Sequence, residues 1–369
     1  MRTGLDVLRD SRFAPLKGRR VGLVCHPASV DSTLRHAAEL FAGAPDVDLA
    51  ALFGPEHGFH GAAQDLMSVG HARAGTRRVH SLYGSTFASL KPAAEALHGL
   101  DTLAIDLQDV GTRYYTFQAT MLYCLEACAE SGVAVVVLDR PNPLGGVDVE
   151  GPALAPGFES FVGPHDIATR HGLTIGELAR FYRGMLVPRV QLEVIACDGL
   201  RRARTFEQTG LPWVLPSPNM PTLDTAVVYP GMCLIEGTNL SEGRGTTRPF
   251  ELCGAPWISP DELAGKLEAE RLPGVRFRPA HFRPTFQKFA GQDCGGVQLH
   301  VTDRRAFRSV RSGLAVLAHM RALSGPRFAW RTEAYEFVFD RPAIDLLFGS
   351  ARERSSLEAG VPWREITRA

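Results

Sequence analysis

Short apolar segments alternate with helical patterns along the first 200 residues or so of this chain, and this alternation limits its fold more than any other feature. A strand that is apolar throughout, such as Val133–Leu138, is buried on both faces, as happens in parallel sheets covered by helices. The sequence therefore predicts an α/β fold with a parallel sheet between two helical layers. The predicted strands are Arg20–Cys25, Leu49–Phe53, Thr102–Ile105, Val133–Leu138 and Gln191–Ala196.

Helix signals lie between these strands. Asp31 is predicted to be the N-cap of a helix that ends near Phe41, and a second helix is predicted from about Thr116 to Glu130. Thr174 and Glu177 have the spacing of a capping box, which predicts the start of a third helix. Glu177 is therefore interpreted as a capping residue and not as part of a site.

The composition changes after Trp213 to loops rich in proline and glycine. Beyond them, Ser259 is predicted to cap a helix, Gly296–Thr302 to form a strand, and Ser309–Leu323 to form an amphipathic helix. At 369 residues the chain is long for one hydrophobic core, so two domains are predicted. We place the boundary near Gly231.

The overall composition excludes several classes of partner. The chain is 45% apolar and 22% charged, as in globular proteins, and its formal net charge is zero. Without a basic run, binding to nucleic acid by neutralising phosphates is not expected. No apolar run reaches the roughly 18 residues needed to span a membrane. The start of the chain lacks the apolar stretch of a signal peptide, so it is predicted to be cytoplasmic as given, with export open if a leader was removed.

No metal or cofactor motif is evident. The seven cysteines are odd in number and lie mostly in apolar segments, which indicates reduced core thiols. His165 and His171 do not have a recurrent zinc-ligand spacing. Gly243 and Gly245 lack the third glycine of a dinucleotide-binding fingerprint, although a phosphate-binding loop stays open there. No Gly-x-Ser-x-Gly motif is present, which disfavours an α/β-type serine hydrolase.

Acidic and amide side chains directly follow two of the predicted strands. Glu56 lies in a turn in which Pro55 and Gly58 restrict the backbone. Because open α/β sheets bind ligands at the carboxyl ends of their strands, a carboxyl group held there can serve as a general acid. The alternative is a carboxylate that caps local amides. His57 has a similar pair of interpretations, a ligand contact or a turn histidine bonded to the backbone.

A second polar group follows the third predicted strand. Side chains alternate along extended chain, so Asp106 and Gln108 are expected to point one way and Asp109 the other. One acid is then expected to face the site and the other to be paired, for example with Arg113. Gln108 is a candidate for ligand binding. Tyr114, in the following loop, is either a wall on which a sugar stacks or part of the core packing.

Further candidates for ligand binding lie in loops. Asn142 stands between two prolines that restrict its backbone, which suits a hydrogen bond to a hydroxyl or acetamido group. A rigid structural loop is the alternative. Arg244 lies between two glycines and can bind an anion through two nitrogens. The other candidates are Arg170, Asn219, Glu236 and Asn239.

Seven motifs occur together in this chain. They are Val21–Val24, Phe53–Gly58, Asp106–Thr116, Leu138–Pro143, Pro216–Pro221, Glu236–Thr246 and Gly295–Gln298. In their order and spacing they resemble the NamZ family of peptidoglycan exo-β-N-acetylmuramidases, long known as a domain of unknown function. The resemblance covers nearly the whole chain, and the combination of motifs is highly specific.

This resemblance implies a fold and an activity. The fold is a Rossmann-like N-terminal domain, which we place at residues 1–230, and a smaller α+β C-terminal domain at residues 231–369 that closes a cleft containing the active site. The implied activity is release of N-acetylmuramic acid from the non-reducing ends of glycan fragments, without metal, nucleotide or other cofactor. The expected partner is therefore a muramic acid-containing glycan.

Residue roles follow from the implied reaction. Glu56 falls in the motif of the family's proposed catalytic glutamate, and Asp106 or Asp109 is the candidate for the second carboxylate. Muramic acid carries a lactyl carboxylate, for which Arg244 is the first choice of cation, with Arg113 and Arg170 as alternatives. The alternative functions are a non-catalytic cell-wall sugar-binding protein and a nucleotide-dependent sugar enzyme.

Overall fold

A computed structural model of the protein describes residues 1–74 and 77–366. Its contacts divide the chain into two compact units. Unit 1 comprises Met1–Gly111, Tyr115–Val147 and Gly172–Pro221, and unit 2 comprises Thr112–Tyr114, Asp148–His171 and Thr222–Ala369. The chain thus enters unit 2 three times, which differs from the single boundary near Gly231 that the composition suggested.

The described residues form ten strands and eleven α-helices. The strands are β1 Arg20–Cys25, β2 Asp48–Gly54, β3 Ala72–Ala74, β4 Arg77–Ser81, β5 Thr102–Asp106, β6 Ala134–Leu138, β7 Leu192–Ile195, β8 Leu252–Ala255, β9 Val275–Phe282 and β10 Cys294–Val301. The helices are α1 Gly4–Asp10, α2 Ala37–Ala42, α3 Ala94–Leu97, α4 Phe117–Ser131, α5 Ile175–Met185, α6 Leu223–Met232, α7 Pro260–Ala269, α8 Ser309–Ser324, α9 Ala343–Phe348, α10 Arg352–Glu358 and α11 Trp363–Ile366.

Unit 1 is built on a seven-stranded sheet with the order β3-β4-β2-β1-β5-β6-β7. All neighbouring strands are parallel except the β3–β4 pair. Without β3, the order β4-β2-β1-β5-β6-β7 is that of a doubly wound Rossmann sheet, in which the winding direction reverses between β1 and β5. The predicted α/β class with a Rossmann-like sheet is confirmed. The carboxyl ends of β2, β1, β5 and β6 therefore lie at the same edge.

Apolar packing on this sheet explains the stability of unit 1. Leu8 of α1 and Phe41 of α2 are fully buried in one cluster with Leu23 of β1 and Leu52 of β2. Burying a side chain of this size stabilises a fold by roughly 1.5–3 kcal/mol. On α4, ten of the 15 residues are buried, so this helix is a rigid part of the unit. The predicted capping box of Thr174 and Glu177 is present at the start of α5.

Unit 2 contains a three-stranded antiparallel sheet with the order β8-β10-β9. Helices α6 and α8 approach each other closely at Gly231 and Gly313, where a Cβ on Gly313 would lie 2.2 Å from the backbone of Gly231. Glycine is required at this crossing because any side chain would force the helices apart. Ser259 caps α7, and α8 covers Ser309–Ser324, close to the predicted bounds.

Some local predictions were wrong. The N-cap of α2 is His36 and not Asp31, whose carboxylate instead accepts bonds from Thr33 and Arg35 and pairs with Arg9. The helix therefore begins five residues later than predicted.

All seven cysteines are free thiols. None of the helices formed by the described residues has the length and apolar character needed to cross a lipid bilayer.

Candidate active site

Polar side chains collect at the edge of unit 1 where β2, β1, β5 and β6 end. Glu56 follows β2, His26 follows β1, Asp106 is the last residue of β5, and Arg140 follows β6. Parallel pairing places these strand ends side by side, with Cys25 of β1 opposite Asp106 of β5. This edge, next to the reversal of winding, is where ligands bind in open α/β sheets.

Glu56 is held by a tight turn. The Gly58 N–H donates to the Pro55 carbonyl at 2.9 Å, and His57 has a φ of 68°, the positive value that a type II turn requires at its third position. A non-glycine residue in this left-handed region is strained and persists only where the surrounding structure imposes it. At Gly54 a Cβ would lie 2.6 Å from the Phe59 nitrogen, so the chain folds back directly onto the end of β2.

The carboxyl group of Glu56 is buried and bonded to one side chain. Glu56 is 5% exposed, and its Oε2 accepts a hydrogen bond from Oγ1 of Thr116 at 2.6 Å. Thr116 immediately precedes α4, so the hydroxyl is fixed by a long buried helix. Rigid elements therefore hold both partners of this bond. A carboxyl group presented in this way can donate or accept a proton at a defined place.

Asp106 lies in a buried ion pair. It is fully buried, and its two oxygens accept from Nε and Nη2 of Arg140 at 2.5 and 2.7 Å. A buried carboxylate gripped by a guanidinium fork is a structural ion pair that joins the ends of β5 and β6. The suggestion that Arg113 pairs with one of these acids is wrong for Asp106, whose partner is Arg140. With both oxygens in this ion pair, Asp106 is the paired acid of the two.

His26 organises the segment after β5. Its Nδ1–H donates to the Pro216 carbonyl at 3.2 Å, and its Nε2 accepts the backbone N–H of Gln108 at 2.9 Å. Burial and then the positive charge of Arg140 hold the pKa of His26 well below its usual value. The side-chain amide of Gln108 donates to the carbonyls of Asp109 and Pro141. Gln108 therefore braces the loops, whereas the sequence suggested a ligand contact.

Asp109 and Asn142 meet around Gly111. Oδ2 of Asp109 accepts the Gly111 N–H at 2.6 Å. Gly111 has a φ of 81°, and a Cβ there would lie 2.3 Å from Oδ1 of Asn142, so only glycine fits. The Asn142 amide donates to the Leu173 carbonyl and accepts the Leu144 N–H. Asn142 thus stabilises a rigid structural loop, as in the alternative interpretation of its sequence. Asp109 stays a candidate carboxylate at this edge.

Two further candidates lie near the Glu56 turn or on the proline loop. Nδ1–H of His57 donates to the Ala63 carbonyl at 2.9 Å, as expected of a turn histidine, and its ring is half-buried. Asn219 is buried and its amide donates to Oε1 of Gln64 at 2.7 Å. Both residues therefore fix the segment that follows Glu56.

Arg113, in unit 2, is a structural cation. It is fully buried, and its terminal nitrogens donate to the carbonyls of Pro152, Ile167, Leu347 and Phe348 at 2.7–3.0 Å. A guanidinium surrounded by four backbone carbonyls does not reach a ligand carboxylate, so the substrate-binding interpretation is contradicted.

Tyr114, also in unit 2, packs inside that unit. It is buried with its hydroxyl donating to the Pro230 carbonyl, and its ring lies edge-on to Tyr229. The core-packing alternative therefore applies, and Tyr114 forms no sugar-stacking wall.

Two other predicted binding residues of unit 2 also bond to protein groups. Arg170 is buried and pairs with Glu150 at 2.6 Å. The side chain of Asn239 donates to the Arg327 carbonyl and accepts the Ala329 N–H. Asn239 therefore fixes the segment that follows α8.

Glu236 and Arg244 form a buried charged cluster in unit 2. Oε1 of Glu236 accepts from Nε and Nη2 of Arg244 at 3.1 and 2.5 Å, and its Oε2 accepts the Tyr335 hydroxyl at 2.9 Å. Arg244 also lies 3.6 Å from Glu242 and over the ring of Phe250. The guanidinium is thus rigidly oriented by a carboxylate and an aromatic face.

Within residues 1–74 and 77–366, no group of three or more His, Cys, Asp or Glu side chains is arranged to hold a metal ion.

Sequence reasoning missed three residues of these clusters. His26 directly follows β1, a position from which it could have been suspected. Thr116 stood within a motif but without an assigned role. Tyr335 has no local signal, because it lies 99 residues from Glu236.

Comparison with known proteins decides the family. Residues 21–224 match the N-terminal domain and residues 227–369 the C-terminal domain of the family described as exo-β-N-acetylmuramidase NamZ. The chain belongs to the NamZ family. The suspected resemblance is thereby confirmed.

Characterised and solved relatives cover almost the whole chain. The peptidoglycan β-N-acetylmuramidase NamZ of Bacillus subtilis (strain 168) is 46% identical, over 99% of this chain and 86% of the relative. Two solved DUF1343 family proteins from Bacteroides fragilis NCTC 9343 have the same fold. One has a TM-score of 0.88 at 34% identity, covering 99% of this chain and 93% of the other. The second has a TM-score of 0.75 at 27% identity, covering 100% and 93%.

Proposed function

We propose that this NamZ-family protein is a glycoside hydrolase that releases N-acetylmuramic acid from the non-reducing ends of peptidoglycan fragments. The name of its 46% identical relative and the two family matches support this activity. The observation on which the mechanism depends is the buried carboxyl group of Glu56 at the carboxyl edge of the sheet. Its rigid turn and its bond to Thr116 are what a proton donor requires.

In the proposed reaction, the protonated carboxyl group of Glu56 gives its proton to the glycosidic oxygen while the bond from that oxygen to C1 of muramic acid breaks. Water then adds to C1, and its surplus proton restores the carboxyl group of the enzyme. A second group must stabilise the sugar cation or activate the water. Asp109 is the proposed carboxylate for this role, because both carboxylate oxygens of Asp106 are bonded to Arg140.

Arg244 is proposed to bind the lactyl carboxylate that distinguishes muramic acid from glucosamine. Of the three candidate arginines, Arg113 is enclosed by backbone carbonyls and Arg170 is paired with Glu150. Arg244 also has a carboxylate partner, but its planar group is held in one orientation, which favours recognition of a second planar anion. The ratio of activities on muramic acid and glucosamine substrates measures this role.

The proposed function is tested by Glu56→Gln, which keeps the size of the side chain and the acceptor for Thr116 but cannot release a proton. Loss of a general acid lowers turnover by roughly 10²- to 10⁴-fold. The assay is release of free muramic acid from a disaccharide of N-acetylmuramic acid linked to N-acetylglucosamine. Glu95→Gln, at an exposed position on α3, is the matched control. Turnover by Glu56→Gln equal to that of the control would refute the assignment.

A further inference from the structure

The hydroxyl group of Thr116 donates a hydrogen bond to the carboxyl group of Glu56. The two oxygens are 2.6 Å apart, within the range of an O–H···O hydrogen bond. Both side chains are shielded from water, at 5% exposure for Glu56 and 7% for Thr116. A hydrogen bond of this length in a dry environment is stronger than the same bond at the surface.

Thr116 does not use this hydroxyl for its own helix. Threonine in front of a helix commonly accepts a backbone N–H of the first turn, a contact that typically stabilises the helix. Here the side chain of Thr116 caps no N–H of α4, and the residue has helical dihedral angles of −66° and −11°. The residue at the start of α4 therefore directs its hydroxyl to a carboxyl group 60 residues away in sequence. Because the Thr116 side chain does not cap α4 and instead bonds Glu56, we infer that it has a role in the site.

The segment in front of Thr116 is fixed from several sides. His26 holds the backbone of Gln108, the Gln108 amide holds the carbonyls of Asp109 and Pro141, and Asp109 holds Gly111. Behind Thr116, the first helical bond runs from the Thr120 N–H to its carbonyl at 2.9 Å. The hydroxyl is therefore placed by rigid backbone on both sides.

We propose that Thr116 is a positioning residue for proton transfer, which reserves Oε2 of Glu56 as the bonded oxygen and leaves Oε1 to carry the proton that is donated. The inference rests on the proposed role of Glu56 as general acid. When Oε1 gives its proton to the glycosidic oxygen, negative charge spreads over both carboxyl oxygens. The bond from the Thr116 hydroxyl to Oε2 then becomes charge-assisted and strengthens.

This change in bond strength determines the kinetic signature. A contact that is stronger in the transition state than in the ground state raises kcat and has little effect on KM. Loss of the hydroxyl is therefore expected to lower kcat and to leave KM nearly unchanged.

The experiment compares Thr116→Val, which keeps the shape but removes the hydroxyl, with Thr116→Ser, which keeps the hydroxyl. Thr116→Val is expected to lower kcat roughly 10- to 100-fold with KM changed less than about threefold. Thr116→Ser is expected to stay within about threefold of the parent in kcat, with the KM of the parent.

Several outcomes overturn the proposal. A Thr116→Val enzyme with the kcat of the parent refutes it. So does a loss of kcat that Thr116→Ser shares in full, since retaining the hydroxyl would then not preserve activity and the packing at this position would explain the loss. If Thr116→Val fails to fold in a denaturation assay, Thr116→Ala with the same kinetic readouts replaces it. Glu56→Gln distinguishes failure of the general-acid proposal from failure of the Thr116 proposal. Full activity of Glu56→Gln would refute the role of Glu56 as proton donor. An inactive Glu56→Gln together with an unaffected Thr116→Val would refute only the positioning role of Thr116.

Discussion

The two hydrogen bonds of His26 fix its imidazole ring in one tautomer. Nδ1 carries the proton that goes to the Pro216 carbonyl, and the lone pair of Nε2 accepts the Gln108 N–H. A second proton on Nε2 would face this N–H donor and break the contact. Burial, followed by the charge of Arg140, accordingly keeps the pKa of His26 well below its normal value. The folded protein therefore holds His26 neutral.

Because His26 is neutral in the folded protein, the stability of the protein is expected to depend on pH. In unfolded chains a histidine has a pKa near 6.5, so below that pH the unfolded state binds a proton that the folded state does not. The contribution of His26 to stability is then present above about pH 6.5 and is lost as pH falls toward its depressed folded pKa. We expect the free energy of unfolding, measured in urea, to fall between pH 7 and 5.

Two variants, His26→Asn and His60→Asn, isolate the contribution of His26 to the pH dependence of the unfolding free energy. His26→Asn has no titrating group, so its unfolding free energy should be lower at pH 7 but should decrease less between pH 7 and 5. His60→Asn, at an exposed position, should follow the pH dependence of the parent. Parallel curves for the parent and His26→Asn would show that His26 titrates normally in the folded protein.

At the scale of elements, the mostly apolar strands at the centre of the parallel sheet were predicted, whereas the exposed strands β3 and β9 were not. The bounds of β1, β2, β5 and β6 agree with the predictions within one or two residues. In contrast, β3 is largely exposed, and β9 carries exposed arginines on one face and Pro279 within the strand. Their pairing depends on neighbouring strands, which no local pattern reveals.

Helix α6 was missed because Pro230 and Gly231 lie inside it, and both residues disfavour helices in isolation. Its close crossing with α8 at Gly231 compensates.

In the candidate site, too, features set by neighbouring residues were predictable and those that depend on distant residues were not. Glu56 was predictable because Pro55 and Gly58 define its turn within a few residues. The partners of the candidate residues were not, because Arg140 is 34 residues from Asp106, and Thr116 is 60 residues from Glu56. Arg113 and Arg170, which looked free to bind an anion, are bonded to backbone carbonyls and to Glu150, respectively. A sequence shows the donors in a loop but not the acceptors that fold against them.

The segment from Glu236 to Arg244 allows a test of substrate recognition. Arg244→Ala would leave the buried carboxylate of Glu236 without its guanidinium, and breaking such a pair destabilises proteins by roughly 3–5 kcal/mol. Arg244→Lys keeps the cation but loses the planar fork. We expect it to lower the preference for muramic acid over glucosamine substrates about tenfold, measured as the ratio of kcat/KM on chromogenic glycosides.

The control for this variant is Arg248→Lys, because Arg248 is more exposed and pairs with Glu251 in the same part of unit 2. It should retain the substrate preference of the parent. If Arg244→Lys also retained that preference, the lactyl carboxylate would have to be bound by another residue.

At the scale of the whole molecule, Arg113 joins parts of unit 2 that are far apart in sequence. Its carbonyl partners lie 39, 54, 234 and 235 residues away along the chain. Burial lowers the pKa of Arg113 to about 10, so the guanidinium is still charged at neutral pH. A charged donor that satisfies four carbonyls at once ties Thr112–Tyr114, Asp148–His171 and the C-terminal part of the chain into one unit.

Arg113→Met fills a similar volume but leaves these carbonyls without donors, at a cost of roughly 1–3 kcal/mol for each group that water cannot reach. We expect unit 2 to unfold at a clearly lower urea concentration. Tryptophan fluorescence reports this selectively, because Trp257, Trp330 and Trp363 belong to unit 2 and only Trp213 to unit 1. Arg352→Met, at an exposed position on α10, should leave the midpoint unchanged. Arg113→Lys should fall between the two, since one ammonium has three donors for four carbonyls. An unchanged fluorescence midpoint in Arg113→Met would mean that the assembly of unit 2 does not depend on this cation.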